Sequence, residues 1–379
     1  MRTRWDIFCH VVDNYGDVGV CWRLAKLLVA EYDCNLRLWV DDLDTFNRLC
    51  AADGITLSNS TPTLIQGVSV NYWPSIWPEV APADVVLETF GCQLPPAYIA
   101  AMAAREVKSC WLNLEYLSAE DWVGGCNGLP SPQPNGLQKY FFFPGFRPDT
   151  GGLLREAGLI ARRRSFQQCD SSRHQFLERI GVNPDPNAAL LSLFCYENSA
   201  LALWLNTLSE GETSYHIVVP EGRIGASVCA WLGRDDYVLG VVYRRGQVSI
   251  QFIPFLSQND YDLLLWSCDF NVVRGEDSFV RAQWAGRPFL WHIYPQQDAA
   301  HLVKLDAFLE VYSAGLSAQC RSALVSCWHA WNNGEPPVGN STLLSGELDL
   351  TGHAEQWCRH IEGQNNLAES LVQFYLNSV

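Results

Sequence analysis

Two short clusters in the sequence carry residue types that do chemistry. The first is DNYGD, with Asp13 and Asp17 four residues apart and Gly16 between them. Two carboxylates at that spacing can hold a cation or accept a proton. Gly16 and Gly19 let a ligand come close to the backbone. The cluster lies where an apolar run gives way to a helical pattern, the position of the phosphate loop in a dinucleotide-binding fold. No G-x-G-x-x-G occurs there, and carboxylates beside a pyrophosphate would repel it, so NAD and FAD are not expected ligands. Either aspartate alone also reads as a helix N-cap. One helix has one N-cap, so capping does not easily account for both.

The second cluster is Arg274, Gly275, Glu276, Asp277 and Ser278, which follow an apolar strand and open a helix. Backbone N–H groups, a hydroxyl and a helix dipole converge there, which makes an anion site. A diphosphate fits if Glu276 turns aside toward a hydroxyl or an acceptor. Capping by Asp277 or Ser278 would use the same N–H groups and stays open as a reading. Upstream, FIPFLSQNDYD places Phe252, Phe255 and Gln258 before a helix. Phe255 could stack on a base and Gln258 could pair with a pyrimidine edge. Phe194 and Tyr196 end another apolar strand at the same expected edge. Sequence alone also reads all these rings as core.

Other chemistry is poorly represented. The eight histidines are scattered without an HxxxH or HExxH, and no GxSxG elbow or GxxxxGK[ST] loop occurs. The fourteen cysteines sit singly, with no C-x-x-C, and several lie in apolar runs as small buried hydrophobes. Neither a metal nor a cofactor is expected. The 379 residues include 26 Lys+Arg and 41 Asp+Glu, a net charge of −15, which argues against a nucleic-acid backbone or an anionic membrane as partner. With 48% hydrophobic and 18% charged residues, the chain has what a globular core needs. No apolar stretch approaches the ~18–20 residues of a membrane span, and no leader pattern is recognisable, so a cytoplasmic protein is expected.

The elements that must position these residues alternate. Strand-length runs over 5–12, 35–42, 67–73, 83–91 and 109–117 are interleaved with helical patterns such as VCWRLAKLLVAEY and PPAYIAAMAARE. Residues 124–152 are dense in Gly, Pro and Asn and carry the run KYFFFPGF; they read as a long loop, functional or crossing between domains. A second series starts near 188, with strands over 188–197, 215–222, 246–255 and 269–275. A helix, a Gly stop and a strand follow over 276–295, and 354–377 is a helical end broken near Gly363. The pattern predicts α/β architecture: two Rossmann-like domains facing a central cleft, with the C-terminal helix crossing back. The expected domains are 1–180, 181–353 and a 354–379 helical region packing back on the first.

The opening WDIFCHVVDNYGDVGVCWRLAKLL, the segment FFPGF, and the stretch from FIPFLSQNDYD through RGEDS to WHIYPQQDAAH resemble the bacterial protein-arginine rhamnosyltransferases that modify translation elongation factor P, the EarP family. The resemblance spans about residues 5–310 and implies a GT-B glycosyltransferase. It implies dTDP-β-L-rhamnose as donor substrate, elongation factor P as protein acceptor, transfer to one arginine with inversion, and no metal. It places Asp13 and Asp17 as the acidic pair, with Asp17 the favoured general base, and Glu276 as the essential glutamate. Phe194, Phe255 and Gln258 match nucleotide-binding positions. Asn14, Tyr15, Gly16, Tyr196, Arg274, Asp277, Ser278 and Tyr294 fall within or near the donor motifs. A GT-B enzyme with a small-molecule or lipid-linked acceptor would share the donor site but not the need for paired aspartates. A silent α/β nucleotide- or partner-binding protein would not need them either.

Overall fold

The computed structural model describes residues 2–13, 15–57, 62–296, 299–335 and 350–378. They form two compact units, one of residues 1–157 with 361–379 and one of residues 158–360.

The first unit is built on a sheet of eight strands: β1 (Arg4–Cys9), β2 (Asn35–Val40), β3 (Thr63–Ile65), β4 (Val68–Tyr72), β5 (Val85–Thr89), β6 (Cys110–Leu114), β7 (Pro130–Pro132) and β8 (Gln138–Phe142). Their order is β3-β4-β2-β1-β5-β6-β8-β7. The six inner strands run parallel, and the short β3 and β7 pair antiparallel at the two edges. Asp6 interrupts the apolar run of β1, yet it is fully buried because Arg37 sits directly opposite on β2. The guanidinium forks onto both carboxylate oxygens at 2.6 Å, which offsets the cost of burying the charge. The chain winds outward from β1 through β2 to β4 and then returns to β5 on the other side. The crevice at the carboxyl ends of β1 and β5 is therefore this sheet's topological switch point.

The second unit holds β9 (Ala189–Leu193), β10 (Tyr215–Pro220), β11 (Val242–Arg245), β12 (Val248–Ile253), β13 (Phe270–Arg274) and β14 (Phe289–His292), in the order β11-β12-β10-β9-β13-β14. Only β11 is antiparallel to its neighbour. The switch point lies between β9 and β13. The strands are nearly continuous apolar runs, as expected for a parallel sheet covered on both faces. Much of the aromatic load is core. Phe279 stacks on Trp291 at 3.8 Å between centroids, and Phe308, Tyr312 and Trp328 stack beside them.

Three expectations are corrected. The first domain ends at 157, not 180. Helices α5 (Leu159–Gln167) and α6 (Asp170–Arg179) belong to the second unit, where Gln167 donates to the carbonyls of Trp266 and Ala285 and Arg173 to that of Ser267. The C-terminal region divides at 360/361 rather than starting anew at 354. Trp357 donates to Gln283 within the second unit, whereas Asn365 donates to the Thr150 carbonyl and Asn366 bridges to Leu153 in the first. Residues 124–152 are not a long loop. They hold the end of a short helix, α4 (Trp122–Cys126), and the β7–β8 hairpin. The run KYFFFPGF forms most of β8 and its sequel, with Phe142, Phe143 and Phe146 buried in the core and Tyr140 and Phe141 half-buried.

Candidate functional site

In the first unit the DNYGD segment is mostly helix rather than loop. The helix α1 runs Tyr15–Tyr32, so Tyr15, Gly16 and Asp17 make its first turn. Asn14 lies outside the described residues. Asp17 is 2% exposed, and its Oδ2 accepts the backbone N–H groups of Val12 at 2.9 Å and Asp13 at 2.8 Å. An acidic side chain in the first turn thus reaches back onto the incoming chain, as in a capping box. Asp13 is also buried, and its carbonyl accepts the Gly16 N–H at 2.7 Å. A Cβ on Gly16 would lie 2.7 Å from Asp13 Oδ2, so the glycine is what lets the Asp13 carboxylate sit against the helix start.

Burial dominates the electrostatics of Asp17 and raises its pKa above the ordinary carboxylate value. Hydrogen bonds from the Asp13 and Val12 amides and the Tyr116 hydroxyl, and the nearby His10, act in the opposite direction without cancelling it. The result is a carboxylate of more than ordinary basicity. Next to it, His10 Nδ1 is bonded to Asp41 Oδ2, while Asp41 Oδ1 accepts the Val11 N–H at 3.0 Å. The loop between β1 and α1 is therefore fixed by carboxylates on both sides.

In the second unit the structure gathers the predicted residues at the carboxyl ends of β9 and β13, the switch point. Arg274 is 4% exposed at the end of β13. Its guanidinium carbon lies 4.6 Å from the Phe194 ring centroid and 4.9 Å from that of Tyr196, both just past β9. Tyr196 packs edge-on against Tyr294 and His292, and Phe194 against Phe255 and Tyr261. Phe255 is half-buried in the loop after β12, whereas Phe252 is in the strand, fully buried and stacked on Tyr237, so it is core. Gln258 opens helix α9 (Gln258–Ser267), behind an N-cap Ser257, and its amide donates to Asp277 Oδ2 at 3.4 Å.

The turn from β13 into helix α10 (Asp277–Ala285) needs Gly275, whose φ of 56° lies in the left-handed region. Trp291 pins that turn by donating to the Gly275 carbonyl at 2.8 Å. Glu276 is the N-cap residue, but its side chain makes no capping hydrogen bond. Ser278 does not cap either: its hydroxyl bonds the Arg274 carbonyl, and it accepts the Arg274 N–H at 3.2 Å. Capping by the Ser278 hydroxyl, the alternative the sequence left open, is therefore not adopted. A buried fork from Arg281 to Asp262, at 2.9 and 2.6 Å, locks α10 onto α9. His292 is held neutral, its pKa pushed down to about 4 by burial and then by the Arg274 and His301 charges.

Sequence reasoning missed Tyr116, Tyr261, His292 and Glu221, whose Oε2 accepts the Phe255 N–H at 3.2 Å. Each stands at or just beyond the end of a parallel strand or in an adjoining helix. Strand-end position was the signal that could have pointed to Tyr116, Glu221 and His292. Among the described residues no group of three or more His, Cys, Asp or Glu is placed to hold a metal. No described helix is long and apolar enough to cross a membrane.

A family model described as Elongation-Factor P (EF-P) rhamnosyltransferase EarP matches residues 5–376. The protein-arginine rhamnosyltransferase of Pseudomonas putida is 53% identical over 381 residues, 100% of each chain, and that of Pseudomonas aeruginosa 51% over 373 residues, 98% of each. A solved structure described as the structural basis for EarP-mediated arginine glycosylation of translation elongation factor EF-P is 39% identical across 100% of both chains, with a TM-score of 0.72. MurG of Acinetobacter baumannii shares the fold at 13% identity, with full coverage of both chains and a TM-score of 0.50.

Proposed function

This chain belongs to the EarP family of protein-arginine rhamnosyltransferases, GT-B glycosyltransferases, and on that premise we propose that it moves L-rhamnose from dTDP-β-L-rhamnose to an arginine of elongation factor P, with inversion. The observation that carries this reading is the contrast in charge between the two sites: buried carboxylates at the β1–α1 turn, and a buried arginine over two aromatic rings beside a helix start at the β13–α10 turn.

The acceptor chemistry demands the first site. A guanidinium has a pKa above ~12 and its lone pairs are delocalised, so it is a poor nucleophile. A carboxylate must hold it, aim one nitrogen and take a proton as the C–N bond forms. Asp17 is assigned as that base, with its raised proton affinity in support, and Asp13 as its partner in holding the cation. Even a raised carboxylate cannot deprotonate guanidinium beforehand, so proton transfer accompanies or follows bond formation.

The donor chemistry demands the second site. Phe194, Phe255 and Gln258 are assigned to the thymine, and Tyr196, Arg274, Asp277, Ser278 and Tyr294 to the donor. The first-turn N–H groups of α10 and the Arg274 guanidinium meet the charge that develops on the leaving diphosphate. Glu276, at the N-cap position of α10, is assigned to the sugar side. Tyr15 and Gly16 shape the floor beside Asp13 and Asp17. Attack from the face opposite dTDP turns a β-linked donor into an α-linked product. No cation is required in this scheme, and elongation factor P and the nucleotide sugar are the proposed partners. The compartment follows from those substrates as the cytoplasm.

Mass spectrometry of elongation factor P after incubation with enzyme and dTDP-β-L-rhamnose tests the reading. One added deoxyhexose on a single arginine is expected. An unmodified acceptor beside donor turnover on a small molecule would instead favour the small-acceptor alternative.

A further inference from the structure

A cavity of about 530 Å³ opens at the amino ends of β9, β13 and β14. The residues gathered around the β13–α10 turn stand at the carboxyl ends of the same strands. The five residues of β13 therefore put roughly 16 Å between the two places. Around the cavity, Asp170, Arg173 and His174 come from α6, Asp185 from the loop before β9, Asp269 from the residue before β13, and Arg287 from the turn between α10 and β14. Gly286, the left-handed C-cap of α10 with φ 60°, turns the chain there.

These charges are not served alike. Asp170, Asp185 and Asp269 are exposed to water. Asp185 also accepts the Asn187 N–H at 2.9 Å, and Asp269 that of Leu190 at 2.8 Å. Arg173 donates from Nε to the Ser267 carbonyl at 2.8 Å. Arg287 has no such service. It is half-buried, its Nε is shut off from solvent without a hydrogen-bond partner, and among the described residues no carboxylate pairs with its guanidinium. Burial pushes its pKa below the usual arginine value; Asp269 opposes that, while Arg173 and Arg163 add to it. Arg163 is itself paired with Glu355. A guanidinium stays charged in a protein, and a charge drawn out of water is normally paired.

We propose that the cavity is a binding site for a small oxyanion, with the Arg287 guanidinium as its main contact and Arg173 beside it. The ligand class is an organic acid or a phosphate ester, whose paired oxygens match the guanidinium fork. The volume is that of a small-molecule pocket. The three aspartates do not fill this role, since none pairs with Arg287 and all face water. The cavity is a second site, separate from the one assigned to the nucleotide sugar.

The test is thermal unfolding of wild type and Arg287→Met against increasing inorganic phosphate and, separately, succinate, replacing chloride at constant ionic strength. The readout is the difference between the two proteins, so anion bound at the β13–α10 turn cancels. Wild type should gain about 2–4 °C more than Arg287→Met once the site is mostly filled, with a saturable dependence on the anion. A gain with phosphate alone assigns the site to phosphate esters, and one with succinate alone to organic acids. In chloride alone, Arg287→Met should unfold no lower than wild type, because methionine keeps the apolar stem and no bond is lost. Equal gains in the two proteins with both anions, or no gain beyond chloride, overturn the proposal. So does a large fall in the Tm of Arg287→Met in chloride alone, which would show that the protein itself holds the guanidinium.

Discussion

The two βα turns occupy equivalent places in two similar sheets, and they are wired for opposite charges. Both follow a parallel strand at a topological switch point, and both lead into a helix. At the β1–α1 turn, amides that a phosphate loop would offer to an anion are spent on Asp17 Oδ2. At the β13–α10 turn, neither the N-cap Glu276 nor Ser278 takes that role, and Arg274 adds a buried positive charge. The same fold position thus presents a negative or a positive environment according to which side chains surround the turn. A net charge of −15 is compatible with the proposed diphosphate site at the second turn, because local donors act at contact distance while the bulk field is screened within ~8 Å at physiological salt.

That contrast can be broken in graded ways. Glu276→Gln should reduce transfer by about 10²–10³, the scale of a group acting in the transition state. Unchanged turnover would remove Glu276 from the chemistry. Arg274→Lys retains charge but loses the planar stack on Phe194 and Tyr196, so dTDP affinity should fall about tenfold by calorimetry. Equal affinity would mean that the guanidinium plane is irrelevant to the donor.

Gly16→Ala should lower kcat about tenfold with little change in stability. The new Cβ would lie 2.7 Å from Asp13 Oδ2, so the buried carboxylate must shift, and misplacing a catalytic group is costly. The smallest effects concern stability. The pKa of Asp17 is raised in the fold, so the native state binds its proton more tightly than the unfolded chain, and its charge destabilises the fold at neutral pH. Asp17→Asn should therefore raise Tm at pH 7, and the gain should vanish as pH falls through the carboxylate range. His292 has the opposite sense for a base: its pKa is lowered to about 4, so the stability linked to it is present above ~6.5 and is lost as pH falls from there toward 4. His292→Gln should flatten that segment of the Tm-against-pH curve; an unaltered curve would contradict the buried neutral imidazole.

The architecture was legible because strand-length apolar runs and helical patterns alternate so regularly, and the clusters DNYGD and RGEDS stood at strand-to-helix junctions. Spacing could not show which way the side chains turn. Asp17 reads as a cap only as the lesser alternative, and the structure makes it an anchor of the loop whose basicity burial has raised. Ser278 reads as a cap and bonds backward to Arg274 instead. KYFFFPGF misled because Gly, Pro and Asn around it signal loops, while the tight β7–β8 hairpin uses those residues for its turn and edge. Phe255 and Phe252, three residues apart, differ in fate only because the strand ends between them.

The most direct test is a single-turnover assay of Asp17→Asn with saturating donor and acceptor, beside its dTDP affinity. Asparagine can still accept the Val12 and Asp13 amides but cannot take a proton. The loop should hold while dTDP binding stays within about twofold of wild type and transfer to arginine falls by about 10²–10⁴. Near-normal transfer by a folded Asp17→Asn enzyme would contradict the account.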